Sequence, residues 1–243
     1  EYQSAVAADA MKKHEDEKPK NAPKKDFGFI TIAAGEGLAE ILKGLGVDEV
    51  IQGGQTMNPS TEDILNAADK INADTIFVLP NNSNIILASN QAASIIEDKK
   101  LIVIPTKTIP QGITAMINFE LTRSADENEK AMLESLSTVK SGQLTYAVRD
   151  TSIDGKEIKK DNYLGLGDNG LASVGTDMDD TLIDMLSEFV DDESELISVY
   201  YGEDIDENKA EELVYKIEEK FDGVDVELQY GGQPVYYYIV SVE

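Results

Sequence analysis

Between residues 26 and 120 four short apolar runs alternate with four helical stretches, and that alternation leaves few folds open. Phe29-Ile30-Thr31-Ile32, Glu49-Val50-Ile51, Thr75-Ile76-Phe77-Val78-Leu79 and Leu101-Ile102-Val103-Ile104 are brief, β-branched and nearly uninterrupted, the pattern of strands buried on both faces. Helical periodicity follows each run, starting near Gly37, Ser60, Asn84 and Thr108. No short hairpin turn returns the chain between the runs, so they must pair in parallel through right-handed crossovers. A doubly wound parallel α/β lobe over residues 26–120 is the expectation.

From residue 121 the rhythm changes. An amphipathic helix from about Asp126 to Val139 leads to the alternating run Leu144 to Arg149, then an Asp154-Gly155 turn into Lys156-Glu157-Ile158. Helices are predicted over Asp177 to Val190 and Asp206 to Phe221. Strands are predicted over Ile197 to Tyr201, Val224 to Tyr230 and Val235 to Val242, with Gly231-Gly232-Gln233-Pro234 turning between the last two. This is a second lobe, residues 121–243, of α+β type with a mainly antiparallel sheet and helices on one face.

Charge divides the chain at the same places. Residues 1–25 carry six lysines against five acids, include His14, and read as a linker or flexible segment. The first lobe has twelve acids and five bases, and the second has thirty acids and ten bases. The overall charge of −26 is opposite in sign to a footprint for nucleic acid or anionic lipid. With no cysteine, no apolar run long enough to span a bilayer and no secretory leader, a cytoplasmic location without membrane insertion is expected.

In a parallel sheet the loops that follow the strands emerge at one carboxyl edge, where ligands of such folds bind. Here they are polar, mostly uncharged and rich in Gly and Pro. They supply the partner- or ligand-binding candidates Gln55, Thr56, Met57, Asn58 and Ser60, then Asn81, Asn82 and Asn84, then Thr106, Lys107, Thr108 and Gln111. Each has a plainer reading. Ser60 with Asp63 and Thr108 with Gln111 have helix-capping spacing, worth about 0.5–2 kcal/mol each. Asn81 to Asn84 could be an Asx turn closing a strand, and Lys107, the only cation in these loops, could be simply solvated. Asp177-Met178-Asp179-Asp180 looks like a carboxylate cluster for Mg²⁺, yet acids in a first helical turn are favoured by the helix dipole alone.

Catalytic constellations are missing from the sequence. There is no Cys nucleophile, no His beyond His14, no Walker A run and no full Gly-x-Gly-x-x-Gly after a strand, only Gly35-Glu36-Gly37. No catalytic residue, metal site or cofactor is therefore predicted for this stretch of chain.

Three runs carry a resemblance: Gly53 to Leu65 with its Gln55-Thr56-Met57-Asn58-Pro59-Ser60 core, Leu79-Pro80-Asn81-Asn82, and Val103 to Gly112. In that order they closely resemble the C-terminal region of the catalytic component of bacterial fatty acid kinase, which belongs to a dihydroxyacetone-kinase-like fusion family. The same loops look like a worn DegV-type fatty-acid-binding fold. Thr56-Met57-Asn58-Pro59-Ser60 is similar to that family's Thr-Ser-Gln-Pro-Ser motif, and Thr106 to Gly112 to its Ser-Lys-Ser-x-x-x-Gly segment. The resemblance implies a non-catalytic region that docks the fatty-acid-carrier subunit. The nucleotide and Mg²⁺, ATP in this family, would belong to a separate N-terminal kinase domain, which with a middle domain precedes this region. The alternative it carries is a DegV-like lipid- or small-molecule-binding protein that uses the cleft between lobes. Met57 replaces the first serine of the motif and the second lobe is strongly acidic, which opposes a bound carboxylate. Homodimerisation stays open.

Overall fold

The computed structural model describes residues 22–243, so His14 and nearly all of the 1–25 linker lie outside the described residues. The chain first alternates β1 (Lys25–Ala33), α1 (Glu36–Gly44), β2 (Glu49–Gln52), α2 (Thr61–Asp69), β3 (Ala73–Leu79), α3 (Ser83–Ile95), β4 (Lys100–Val103) and α4 (Ile109–Ile117). The strands form one parallel sheet in the order β2-β1-β3-β4. Ile30, Ile76 and Val78 face Ile64 and Ala68 of α2 and Ala92 of α3. On the other face Phe29 stacks on Phe77 at 5.6 Å and takes Phe119 edge-on at 4.8 Å, beneath Leu38 and Leu42 of α1 and Ile113 of α4. Helices on both faces explain why the strands read as continuous apolar runs.

Next comes α5 (Ala125–Ser135), opened by a capping box between Ser124 and Glu127 and closed by a 3-10 turn over Leu136–Thr138. The bonds from Ser124 hold the Glu127 carboxyl below its usual range. Met132 of this helix joins the core of Phe29 and Phe77. Residue 120 thus falls between two helices, α4 and α5, that pack together.

The remainder is β5 (Lys140–Tyr146), β6 (Thr151–Ile153), β7 (Lys156–Ile158), β8 (Tyr163–Gly167), β9 (Gly170–Gly175), α6 (Met178–Phe189), β10 (Leu196–Tyr201), α7 (Glu207–Lys220), β11 (Asp225–Tyr230) and β12 (Tyr238–Val242). Six strands make a mixed sheet in the order β11-β10-β12-β5-β8-β9, antiparallel except for the β10–β11 pair that α7 connects. Leu182, Met185 and Leu186 of α6 and Leu213 and Ile217 of α7 cover its core with Val199, Tyr238 and Val240.

Details differ from the sequence reading. The Leu144 to Arg149 run begins earlier and ends at Tyr146, and the Asp154-Gly155 turn, with both residues at positive φ, closes a separate two-stranded hairpin instead of opening the main sheet. The last strand starts at Tyr238, after a turn in which Val235 has φ 69°. Strands β8 and β9 are not predicted from the sequence, because their glycines carry no strand signal. In this part of the sheet glycine is a packing device: a Cβ at Gly142 would stand 2.7 Å from Met185 Sδ, and one at Gly167 2.7 Å from Phe189. Those gaps in side-chain cover let α6 lie directly on the sheet.

The two sheets share a core, since Tyr200 and Ile239 from the second sit in the Phe29 and Phe77 cluster. At one seam the Leu38 amide donates to the Gly231 carbonyl at 2.9 Å, and any Cβ on Gly37 would overlap the Tyr230 carbonyl.

Candidate functional site

The carboxyl ends of β1, β2, β3 and β4 open toward the second sheet, and the loops there are fastened mainly by polar side chains. Asn81, which follows β3 after Pro80, adopts φ 59° and is buried. Its side-chain amide donates to the Thr31 hydroxyl at 2.8 Å and to the Ile32 carbonyl at 2.9 Å, while its carbonyl accepts from the Thr106 hydroxyl at 2.9 Å. This one residue clamps the ends of β1 and β3 to the loop after β4. Asparagine suits the position because it tolerates the left-handed backbone and offers both donors and acceptors.

The neighbouring candidates divide into helix caps and exposed side chains. Ser60 and Asp63 form a reciprocal capping box on α2, with the Ser60 amide donating to the Asp63 carboxylate at 2.8 Å. Asn82 caps α3, accepting from the Asn84 amide at 2.9 Å, and its own amide donates to the Gly54 carbonyl at 2.6 Å. Thr108 caps α4 by accepting from the Gln111 amide, and Gln111 Oε1 accepts from the Lys107 amide at 2.7 Å. Thr56, Asn58, Asn84 and Lys107 are exposed, and Met57 is 76% exposed. Gln55 is different. Its Oε1 is buried with no hydrogen-bond partner among the described residues.

Two contiguous hollows lie between the lobes. One of about 200 Å³ is walled by Gln55, Asn81, Asn82 and Lys107 from the parallel lobe and by Gln143 and Tyr236 from the other. A second of about 520 Å³ shares Ser83, Lys107 and Gln143 with it and continues past Thr108, Ser141 and the β8–β9 hairpin tip at Asp168-Asn169. Thr108 Oγ1 and Ser141 Oγ, 2.9 Å apart, tie the lobes together across this cleft. The Ser141 amide donates to Asp168 at 3.0 Å. Desolvation raises the Asp168 pKa, and this outweighs the lowering by the Ser141 amide and by the Lys107 charge. The cleft therefore sets Lys107, Lys140 and Asp168 among neutral hydrogen-bonding and apolar groups.

Its second-lobe wall is not marked in the sequence. Ser141, Gln143 and Asp168 belong to no motif; only Gly167-Asp168-Asn169-Gly170, a two-residue turn flanked by glycines, could have flagged the hairpin tip.

Groups suited to acid–base or metal chemistry do not converge here. Among the described residues no three His, Cys, Asp or Glu side chains are placed to hold a metal ion. In the Asp177 to Asp180 run, Asp177 caps α6 by accepting from the Asp180 amide at 2.9 Å, and Asp179 pairs with Lys216 at 2.7 Å. No helix among the described residues is long and apolar enough to cross a membrane.

Comparison with known proteins decides the family. The model of the FakA-like C-terminal family, named for fatty acid kinase, matches residues 28–243. The chain belongs to that family. Protein YloV of Bacillus subtilis is 44% identical over 243 residues, all of this chain and 43% of that protein. Protein SAR1202 of Staphylococcus aureus is 46% identical over 218 residues, 90% of this chain and 40% of that protein. The chain thus spans less than half the length of these relatives. Among solved structures, DegV from Bacillus subtilis, described as a fatty acid binding protein, superposes with TM-score 0.62 at 10% identity, covering 89% of this chain and 99% of DegV. The Streptococcus pneumoniae fatty acid kinase B3 protein loaded with linoleic acid superposes with TM-score 0.57 at 12% identity, covering 90% and 99%. Those likenesses show a shared DegV-type fold.

Proposed function

We propose that this chain is the docking region of a longer fatty acid kinase component, and that it engages a separate fatty-acid-carrier subunit. In this reading the chain is not itself an enzyme. A kinase domain elsewhere in the same protein, supplied there with ATP and Mg²⁺, phosphorylates the carrier's acyl carboxylate to an acyl phosphate, in the cytoplasm. The chain's own contacts are with the carrier and with its preceding domains.

One observation carries the proposal: a DegV-type cleft whose lining mixes polar with apolar side chains, closed by packed side chains where α6 lies on the second sheet. Met185 and Phe189 press onto Gly142, Gly165 and Gly167. An acyl chain needs a continuous apolar channel, and here Leu136, Val139 and Leu166 on one side and Ile109 and Ile239 on the other are interrupted by Gln55, Asn82, Lys107, Gln143 and Asp168. A protein partner can use what the edge presents: neutral donors and acceptors, the Gln55 Oε1 left without a partner among the described residues, and the exposed Met57.

The test is a pull-down of acyl-loaded carrier subunit by this chain and by Lys107→Glu and Met57→Asp variants, with solvent extraction of the purified chain in parallel. Docking predicts retained carrier, weaker retention by both variants and an empty extract. A stoichiometric copurified fatty acid would instead support the DegV-like lipid-binding reading.

A further inference from the structure

Consecutive residues of β12 face opposite ways: Ile239 joins the core beside the inter-lobe cleft, and Tyr238 joins the core under α6 and α7. On that second side a hollow of about 260 Å³ lies between the start of α6, the start of α7 and the sheet. Asp177 and Asp179 line it from α6, Lys209 and Glu212 from α7, and Tyr163 and Tyr238 from β8 and β12. It is therefore on the opposite side of the second sheet from the cleft with Lys107 and Gln143.

Tyr238 is 1% exposed, yet its hydroxyl has no hydrogen-bond partner among the described residues. A polar group so enclosed is ordinarily paired, and this one opens into the hollow. Burial first, and then the charges of Asp179, Asp206 and Glu212, raise its pKa, so the hydroxyl stays neutral and can accept a bond from a cation. The charge around it is mainly negative. Asp177 accepts from the Asp180 amide through one carboxylate oxygen at 2.9 Å, and Asp179 pairs with Lys216 at 2.7 Å. Lys209 and Glu212 make no ion pair among the described residues, with each other or elsewhere. No three acidic side chains among the described residues are placed to hold a metal ion, so the arrangement suits a cation larger than a bare metal. An ammonium group has three donors and can reach a hydroxyl and two separated carboxylates at once, while its methylenes lie along an aromatic ring.

We propose that this hollow binds a small primary alkylamine, with its ammonium group on the Tyr238 hydroxyl, Glu212 and the second carboxylate oxygen of Asp177, and its alkyl stem against Tyr163. Lys209, exposed at the rim, is the built-in competitor: its charge repels the ligand's and offsets one of the carboxylates. Removing that lysine should therefore strengthen binding, a sign that a merely structural role for these residues does not give. The inference does not depend on the docking function, because the two sites lie on opposite sides of the second sheet.

The test is an NMR titration of the 243-residue chain with n-butylammonium chloride at constant ionic strength, with 1-butanol and n-butyltrimethylammonium as the neutral and N–H-free comparisons. Saturable shifts are expected at the amides of Tyr163, Asp177, Glu212 and Tyr238, with the primary ammonium alone. Glu212→Gln should raise the Kd about threefold, the scale of one exposed charge pair. Tyr238→Phe should also raise it, and this variant removes only a hydroxyl that has no partner among the described residues, so the fold is kept. Lys209→Ala should lower the Kd. Shifts that grow linearly without saturating, shifts that 1-butanol or the trimethyl compound reproduces, or a Kd that Tyr238→Phe and Lys209→Ala leave unmoved overturn the inference.

Discussion

Asn81 and Thr106 hold each other twice: the Asn81 backbone amide donates to the Thr106 hydroxyl at 2.9 Å, and that hydroxyl donates to the Asn81 side-chain carbonyl at 2.9 Å. Both residues are buried, and Gly112 leaves room for the pair because a Cβ there would overlap Asn81 Oδ1. Asn81→Ala strands the Ile32 carbonyl and the Thr106 hydroxyl and keeps the φ of 59° without a side chain to support it. A loss of about 2–4 kcal/mol is expected from unsatisfied buried groups together with strain. Urea denaturation reads it directly, and a change under about 0.5 kcal/mol would mean the clamp is incidental, given that surface substitutions fall within that range.

The seam between lobes predicts a second effect. Gly37→Ala drives a methyl into the Tyr230 carbonyl and must push α1 away from Gly231, breaking the Leu38 amide bond. Overpacking of this kind costs about 1–3 kcal/mol or more. Because Tyr200 and Ile239 share a core with Phe29 and Phe77, the loss should register as a shift of one cooperative transition. Two separated transitions in the variant would show that the lobes fold apart.

Capping sets a smaller scale. Ser60→Ala and Ser124→Ala each remove a reciprocal capping box, and each should cost about 1 kcal/mol. The two sites lie on different helices, so the double variant should show the sum of the two losses.

Asp168 gives a pH prediction with a definite sign. Its folded-state pKa is raised from 3.8, chiefly by desolvation, so the folded protein favours the protonated carboxyl. The contribution to stability is fully present below the unfolded value and lost as pH rises through the folded one. Asp168→Asn cannot ionise and escapes that loss. The stability of the variant relative to wild type should therefore climb as pH rises from about 3 through the upper carboxylate range, by linkage. A relative stability that falls over that interval would show that the Ser141 amide and Lys107 dominate instead.

Electrostatics also bears on docking. The thirty acids and ten bases of residues 121–243 create a field that should speed encounter with a basic patch on the carrier subunit. Association should slow between about 0.01 M and 0.1 M salt, where the Debye length falls from about 30 Å to 10 Å. Stopped-flow rates over that range decide it. A flat rate would leave the charge with a role in solubility alone.

The local chemistry of Phe29 to Ile32, Thr75 to Leu79 and the caps at Ser60 and Thr108 is written in the sequence, because burial on both strand faces and satisfaction of a helix's first amides are problems solved within a few residues. The family resemblance is legible for the same reason, since Gly53 to Leu65, Leu79 to Asn82 and Val103 to Gly112 are each contiguous in the chain. Strands β8 and β9 are not legible. Their glycines take meaning only from Met185 and Phe189, which arrive from a helix many residues later. Nor could the sequence tell that Asn81 is a buried clamp while Asn84, three residues on, faces solvent, for the difference lies in Thr31 and Thr106, brought to it by parallel pairing of β1, β3 and β4. The cleft itself, with Lys107 on one wall and Asp168 on the other, exists only because two sheets from distant parts of the chain share a core. Contacts between residues that far apart are fixed by packing of the whole, and no local pattern encodes them.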